Sequence, residues 1–245
     1  MFSGRLDPPD ERDLVYQATG NPVAASVDLT PWASRVEDQG HLGSCTGQAA
    51  IGAYELSLRK RTPPVTVDLS SLFVYYNARV IEGYTDEDIG AYVRSAIKSL
   101  AAWGVCLEQL WPYRIEEFAV TPPIECYQDA ARRRIVNYRR LTTIDEIKDA
   151  LTQGLPVVAG MQVYNQFTDL DSQNPVLRMP ESDDEPIGGH AVCIVGYRSD
   201  AFLVRNSFGA EWANNGYFWM PFEYAESETM DLWVFDLALT GDTDE

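Results

Sequence analysis

One cysteine at the start of an apolar helical run constrains this chain more than any other feature. Cys45 follows Gly43 and Ser44, and the run from Thr46 to Lys60 contains no proline and repeats apolar residues at helical spacing. The pattern predicts a helix that begins at Cys45, with Ser44 as the cap of its first turn. Free backbone N–H groups and the helix dipole favour negative charge there, so they lower the pKa of a thiol. Cys45 is therefore a candidate nucleophile.

A nucleophilic cysteine needs a base, and the base needs a partner that orients it. The chain has two histidines. His41 lies in the same turn as Cys45 and is poorly placed to face it. His190 lies in an apolar segment that predicts a strand, and Asn206 follows at the end of the next predicted strand. We therefore predict that His190 is the base and that Asn206 orients its ring.

The order of these residues resembles the papain family of cysteine peptidases. In that family the histidine and the asparagine follow the cysteine by about 130–150 residues, and the spacing here is similar. Gln39 matches the glutamine whose side chain, with the N–H of Cys45, holds an oxyanion. The segment from Asn206 to Tyr217 resembles the family's Asn-Ser-Trp-Gly…Trp…Asn-Gly-Tyr block, with Phe208 in place of the first tryptophan. The match extends from about residue 27 to residue 224.

The order of predicted elements agrees with the fold that this resemblance implies. Helical patterns dominate the first half and β-rich patterns the second, which predicts an α+β fold in two lobes. We expect a helical lobe over residues 27–125 with the nucleophile, and an antiparallel, β-barrel-like lobe over residues 126–245 with the histidine and asparagine. Residues 1–26 are polar and rich in proline and glycine. They predict an extension without a core, and a loose tail is favoured over a plug in the cleft.

The resemblance also implies a set of residues that bind substrate. Gly160 and Gly189 map to the wall of the main apolar subsite and leave it without side chains. We therefore expect a wide pocket that prefers Leu, Phe or Tyr two residues before the cleaved bond, with no acidic residue at its base. The full set of implied substrate-binding residues is Gly43, Gly90, Gly160, Gly189 and Phe208.

The activity implied by the resemblance is hydrolysis of peptide bonds by an endopeptidase, through a thioester acyl-enzyme. Two alternatives stay open. A transpeptidase or peptide cyclase would use the same thioester with an amine in place of water, and a degenerate member of the fold would only bind a partner. Two histidines without a Cys-x-x-Cys motif give a metal site little support. We expect neither a metal nor another cofactor.

Charge and cysteine content limit the partners and the location. The formal net charge is −18, from 37 acidic and 19 basic residues, which argues against nucleic acid and anionic membranes. We expect a monomer that acts on peptides or proteins. The sequence shows no signal peptide or membrane-spanning run, so we expect a cytoplasmic protein. Free thiols fit a reducing compartment, although a bridge between Cys106 and Cys126 stays open.

Overall fold

The structure is a computed structural model that describes residues 2, 4, 5, 7, 8 and 10–238. The helices within these residues are α1 Cys45–Arg59, α2 Ser71–Glu82, α3 Val93–Ala102, α4 Ile124–Ala130, α5 Ile144–Thr152 and α6 Phe222–Glu228. The strands are β1 Val27–Asp28, β2 Ile135–Leu141, β3 Val157–Val163, β4 Gly188–Tyr197, β5 Ala201–Arg205, β6 Tyr217–Pro221 and β7 Thr229–Leu237. Of the described helices, none is both long and apolar enough to cross a membrane.

The helix boundaries follow from capping residues in the sequence. Ser70 precedes α2 and its hydroxyl accepts the N–H of Phe73 at 3.1 Å. Gly83 ends the same helix with φ 88°, a conformation that favours glycine. Thr143 and Glu146 form a reciprocal capping box at the start of α5. These signals set where α2 begins and ends and where α5 begins.

The strands form one antiparallel sheet in the order β2-β7-β3-β4-β5-β6. The short strand β1 pairs with the C-terminal end of β4. Strand β4 is buried along most of its length, between β3 and β5. Together with the six described helices, this sheet confirms the predicted α+β fold class.

The packing of α1 against β3 and β4 brings the two parts of the chain together. The register of β3 and β4 aligns Met161 with His190. Asn206 directly follows β5, which pairs with β4 beyond the histidine. The start of α1 and the start of β4 therefore meet at one edge of the sheet, where Cys45 and His190 are both buried.

The N-terminal extension is not the loose tail that the sequence favoured. Tyr16 is 4% exposed and its hydroxyl donates to Asp149 at 2.7 Å. Its backbone N–H also donates to the carbonyl of Arg140 in the edge strand β2, at 2.8 Å. Closer to the N-terminus, Asp13 forms a buried ion pair with Arg94 of α3 at 2.6 Å. A buried ion pair, a buried tyrosine and added strand pairing hold this segment to the body of the protein, although its composition is that of a linker.

Candidate active site

Cys45 is the first residue of α1 and is fully buried. The predicted cap differs: the Ser44 side chain does not cap the helix, and its hydroxyl lies 2.5 Å from that of Tyr113. The backbone N–H groups of Ala191 and Thr46 face the sulfur and favour the thiolate. Burial outweighs them and raises the pKa of the Cys45 thiol to about 11. The lowered pKa that the sequence predicts is therefore wrong for this state of the molecule.

His190 and Asn206 form a hydrogen bond of 2.7 Å between Nε2 and Oδ1. Asn206 Oδ1 also accepts the N–H of Ser207 at 2.8 Å, which fixes the orientation of the amide. Because Oδ1 is an acceptor, the imidazole proton belongs on Nε2. The buried Nδ1 then has a free lone pair, and it has no hydrogen-bond partner among the described residues. Nδ1 is thus the nitrogen that can accept a proton from a neighbouring thiol.

The environment of His190 keeps the ring neutral. Burial lowers the pKa of His190 to about 4, against the opposing effect of its bond to Asn206. Phe208 lies beside the ring, with 5.1 Å between centroids, and Phe167 lies at 5.8 Å. Trp212 packs against both phenylalanines rather than on the histidine. This aromatic group shields the His190–Asn206 bond from water.

Gln39 is buried and held at both ends of its side chain. Its Oε1 accepts the hydroxyl of Ser207 at 2.6 Å, and its Nε2 donates to the carbonyl of Leu42 at 2.8 Å. One Nε2 hydrogen remains free for a substrate oxygen. Ser207 is a contributor that the sequence analysis did not single out, although it belongs to the quoted Asn-Ser block.

The predicted substrate-binding glycines lie along the same edge. Gly43 precedes the nucleophile, and Gly90 is buried with φ 76°. Gly160 pairs with Asp231 of β7, and a Cβ placed on Gly160 would lie 3.2 Å from Oδ2 of that aspartate. The sequence motifs place nothing acidic at the base of this subsite, and the structure adds Asp231 beside Gly160. Gly189 is in contact with the backbone of Gly4.

The first residues of the chain lie against His190 and its strand. We call the described residues between 2 and 16 the cover. The ring of Phe2 packs edge-on against His190, with centroids 5.7 Å apart. Gly4 donates its N–H to the carbonyl of Gly189 at 2.7 Å. This segment contributes to the burial of His190.

The cover is anchored on the helical side as well. Arg5 forms an ion pair with Glu82 and lies over the rings of Tyr84 and Tyr92. Asp7 accepts hydrogen bonds from the N–H of Arg94 and from the indole of Trp233. The cover therefore bridges the two walls of the cleft.

A helix-borne cysteine, a strand-borne histidine and an asparagine on one ring nitrogen are the kinds of group that a cysteine peptidase uses. The profile of a family described as papain family cysteine protease matches residues 23–231. The chain belongs to this family and is a papain-like cysteine peptidase, a hydrolase.

Individual relatives agree with this assignment. An uncharacterized peptidase C1-like protein of Acanthamoeba polyphaga mimivirus is 42% identical, over 92% of this chain and 83% of that protein. A cysteine protease of Blomia tropicalis is 29% identical, over 75% of this chain and 56% of that protein. The chain thus spans little more than half of the mite relative. The crystal structure of xylellain, a cysteine protease from Xylella fastidiosa, is 35% identical with a TM-score of 0.89, and covers 96% of this chain and 95% of that one.

Proposed function

We propose that this peptidase is an endopeptidase that cleaves peptide bonds through a thioester on Cys45. The observation that carries the proposal is the buried His190, whose Nε2 bonds to Asn206 while Nδ1 has no hydrogen-bond partner in the described part of the chain. Such a ring can take the thiol proton at one nitrogen while the asparagine holds the other. The contacts of Gln39, described above, support its role as an oxyanion donor.

The reaction follows from these groups. Cys45 transfers its proton to Nδ1 of His190, and the sulfur attacks the carbonyl carbon of the substrate. The oxyanion accepts hydrogen bonds from the backbone N–H of Cys45, which has no partner within the helix, and from Nε2 of Gln39. The imidazolium then donates its proton to the leaving amine, and the neutral ring activates a water that hydrolyses the thioester.

The cover must leave before substrate can enter. Substrate access to a fully buried Cys45 requires displacement of Phe2 and Gly4, which lie over the histidine and its strand. We infer that the structure is a closed form of the enzyme and that activity reflects the fraction of molecules in which the cover has moved. Displacement also removes the main cause of the raised thiol pKa, which is burial.

Product analysis tests the proposal. The full chain is incubated with a library of internally quenched peptides, and the products are identified by mass spectrometry with and without an added amine. Internal cleavage that adds water and is lost in Cys45→Ala is the expected result. Products that carry the added amine would identify the transpeptidase instead. A chain that binds peptides without changing them would identify the binding module.

A further inference from the structure

A carboxylate outside the catalytic group is bonded to the loop that carries the nucleophile. Asp88 lies between α2 and α3, and its Oδ1 accepts the backbone N–H of Gly43 at 3.0 Å. Its Oδ2 lies 3.2 Å from the same nitrogen. Oδ1 also accepts the hydroxyl of Tyr75 at 2.6 Å. None of the steps proposed for catalysis uses this residue.

The position of Gly43 gives the contact its significance. It lies in the loop from Gln39 to Ser44, which holds an oxyanion donor at one end and leads into Cys45 at the other. Tyr113 holds the ends of this loop, because its hydroxyl donates to the carbonyl of Gln39 at 2.9 Å and lies 2.5 Å from the Ser44 hydroxyl. Asp88 holds the intervening backbone. A shift of about 1 Å in such a loop can lower a rate by roughly 100-fold.

Asp88 is itself held by a buried network. Tyr75 is fully buried, and burial and the bond to Asp88 raise its pKa, so it stays protonated and donates. The guanidinium of Arg79 lies over the Tyr75 ring at 4.2 Å. It donates to the carbonyls of Thr85 and Glu87, in the loop that leads to Asp88.

The same carboxylate links the nucleophile loop to the segment that precedes α3. Asp88 comes two positions before Gly90, in the segment that leads to Tyr92, against which the cover lies. A single side chain therefore connects the nucleophile loop to the segment that contacts the cover. A charged acceptor strengthens this bond relative to a neutral one.

We propose that Asp88 is a positioning residue that sets the nucleophile loop through the N–H of Gly43. It touches neither substrate nor the reacting sulfur. It fixes the distance between the oxyanion donors and the attacked carbonyl, so its loss affects the transition state more than substrate binding. This inference rests on the proposed peptidase function.

The test compares three variants in the full chain carrying Gly4→Val, whose side chain would collide with the backbone of Gly189 and is therefore expected to displace the cover. Asp88→Ala removes the acceptor, and Asp88→Asn keeps a neutral one at the same place. Asp86→Ala removes an exposed carboxylate from the same loop and is the matched control. We expect kcat to fall roughly 10–100-fold in Asp88→Ala with KM changed less than threefold. Asp88→Asn should lose at most half as many powers of ten in kcat as Asp88→Ala. Asp86→Ala should have the same kcat as the Gly4→Val chain without a further substitution.

The outcomes separate the two claims. A parent chain that cleaves no peptide overturns the proposed function and this inference with it. An active parent with an unchanged kcat in Asp88→Ala, or a loss no smaller in Asp88→Asn, overturns the inference alone. If Asp88→Ala does not fold, Tyr75→Phe carries the test, because it removes the second bond to the carboxylate. A severalfold fall in its kcat at unchanged KM supports the inference, and an unchanged kcat overturns it.

Discussion

Gly4 and Gly189 lie backbone against backbone, joined by a hydrogen bond of 2.7 Å from the N–H of Gly4 to the carbonyl of Gly189. A Cβ on Gly4 would lie 2.7 Å from the carbonyl carbon of Gly189, and a Cβ on Gly189 would lie 2.1 Å from the oxygen of Gly4. Neither position accepts a side chain while the cover is docked. Both glycines therefore permit a close approach that closes the cleft.

Gly4→Val should activate the enzyme. The new side chain collides with the backbone of Gly189 and His190, so the docked state is destabilised and the open fraction rises. We expect kcat/KM to increase on the order of 10-fold or more. Ala24→Val adds bulk at an exposed position of the same extension and should leave activity unchanged. Equal rates in wild type and Gly4→Val would contradict a closing role for the cover.

Activity of the wild-type chain should rise with pH. Asp7 donates its N–H to Oδ2 of Asp231 at 2.8 Å, and both carboxyl groups are buried together. Burial raises the pKa of Asp7, and burial and the charge of Asp7 raise that of Asp231 to about 6, against smaller lowering effects of Arg94 and Arg140. Release of the cover exposes both groups and lowers both values. A pKa raised in the docked state gives docking a stability that is lost as pH rises through about 6.

The measurement is the activity ratio of wild type to Gly4→Val between pH 4.5 and pH 7.5, which cancels effects on the chemistry itself. Below about pH 6 we expect this ratio to rise with pH, by up to ~10-fold per pH unit for each of the two carboxyl groups. Above that pH it should level off. Asp231→Asn keeps an acceptor for the N–H of Asp7 but does not titrate, so its ratio should be flatter. A wild-type ratio that falls with pH would refute the carboxylate pair as a pH-sensitive contact.

Gln39→Ala should lower kcat by roughly 10–1,000-fold with little change in KM, because the bond to the oxyanion forms mainly in the transition state. Ser207→Ala removes the hydroxyl that holds Oε1 of Gln39, so it should give a smaller loss of the same kind. Steady-state kinetics in the Gly4→Val chain measure both. A normal kcat in Gln39→Ala would show that the match to the family's glutamine is accidental.

The fold class and the residues proposed for catalysis could be predicted because their signals are local. The run after Cys45 has helical periodicity, and the segment around His190 has the apolar character of a buried strand. The order of the motifs along the chain then indicated Gln39 and Asn206 as their partners. These positions depend on short stretches of sequence whose conformation is set mainly by neighbours along the chain.

The missed features depend on contacts between distant parts of the chain. The cover lacks hydrophobic periodicity, and in the sequence Gly4 resembles a linker residue. Its role becomes visible only in the structure, where it packs against Gly189. Asp231 approaches Gly160 through strand pairing in β7, far along the sequence. Asp88 lies in an acidic loop whose composition indicates solvent exposure, yet it bonds to the N–H of Gly43. Such contacts leave no pattern in a single sequence.

The most direct test of the central claim is covalent labelling by an epoxide inhibitor of cysteine peptidases, followed by mass mapping of the four cysteines. All four thiols are free and buried, so accessibility alone does not select one of them. We predict a single adduct on Cys45, formed faster in Gly4→Val than in wild type and abolished in His190→Ala. Adducts spread over Cys106, Cys126 and Cys193, or labelling of Cys45 that does not depend on His190, would contradict the assignment of these two residues as the catalytic pair.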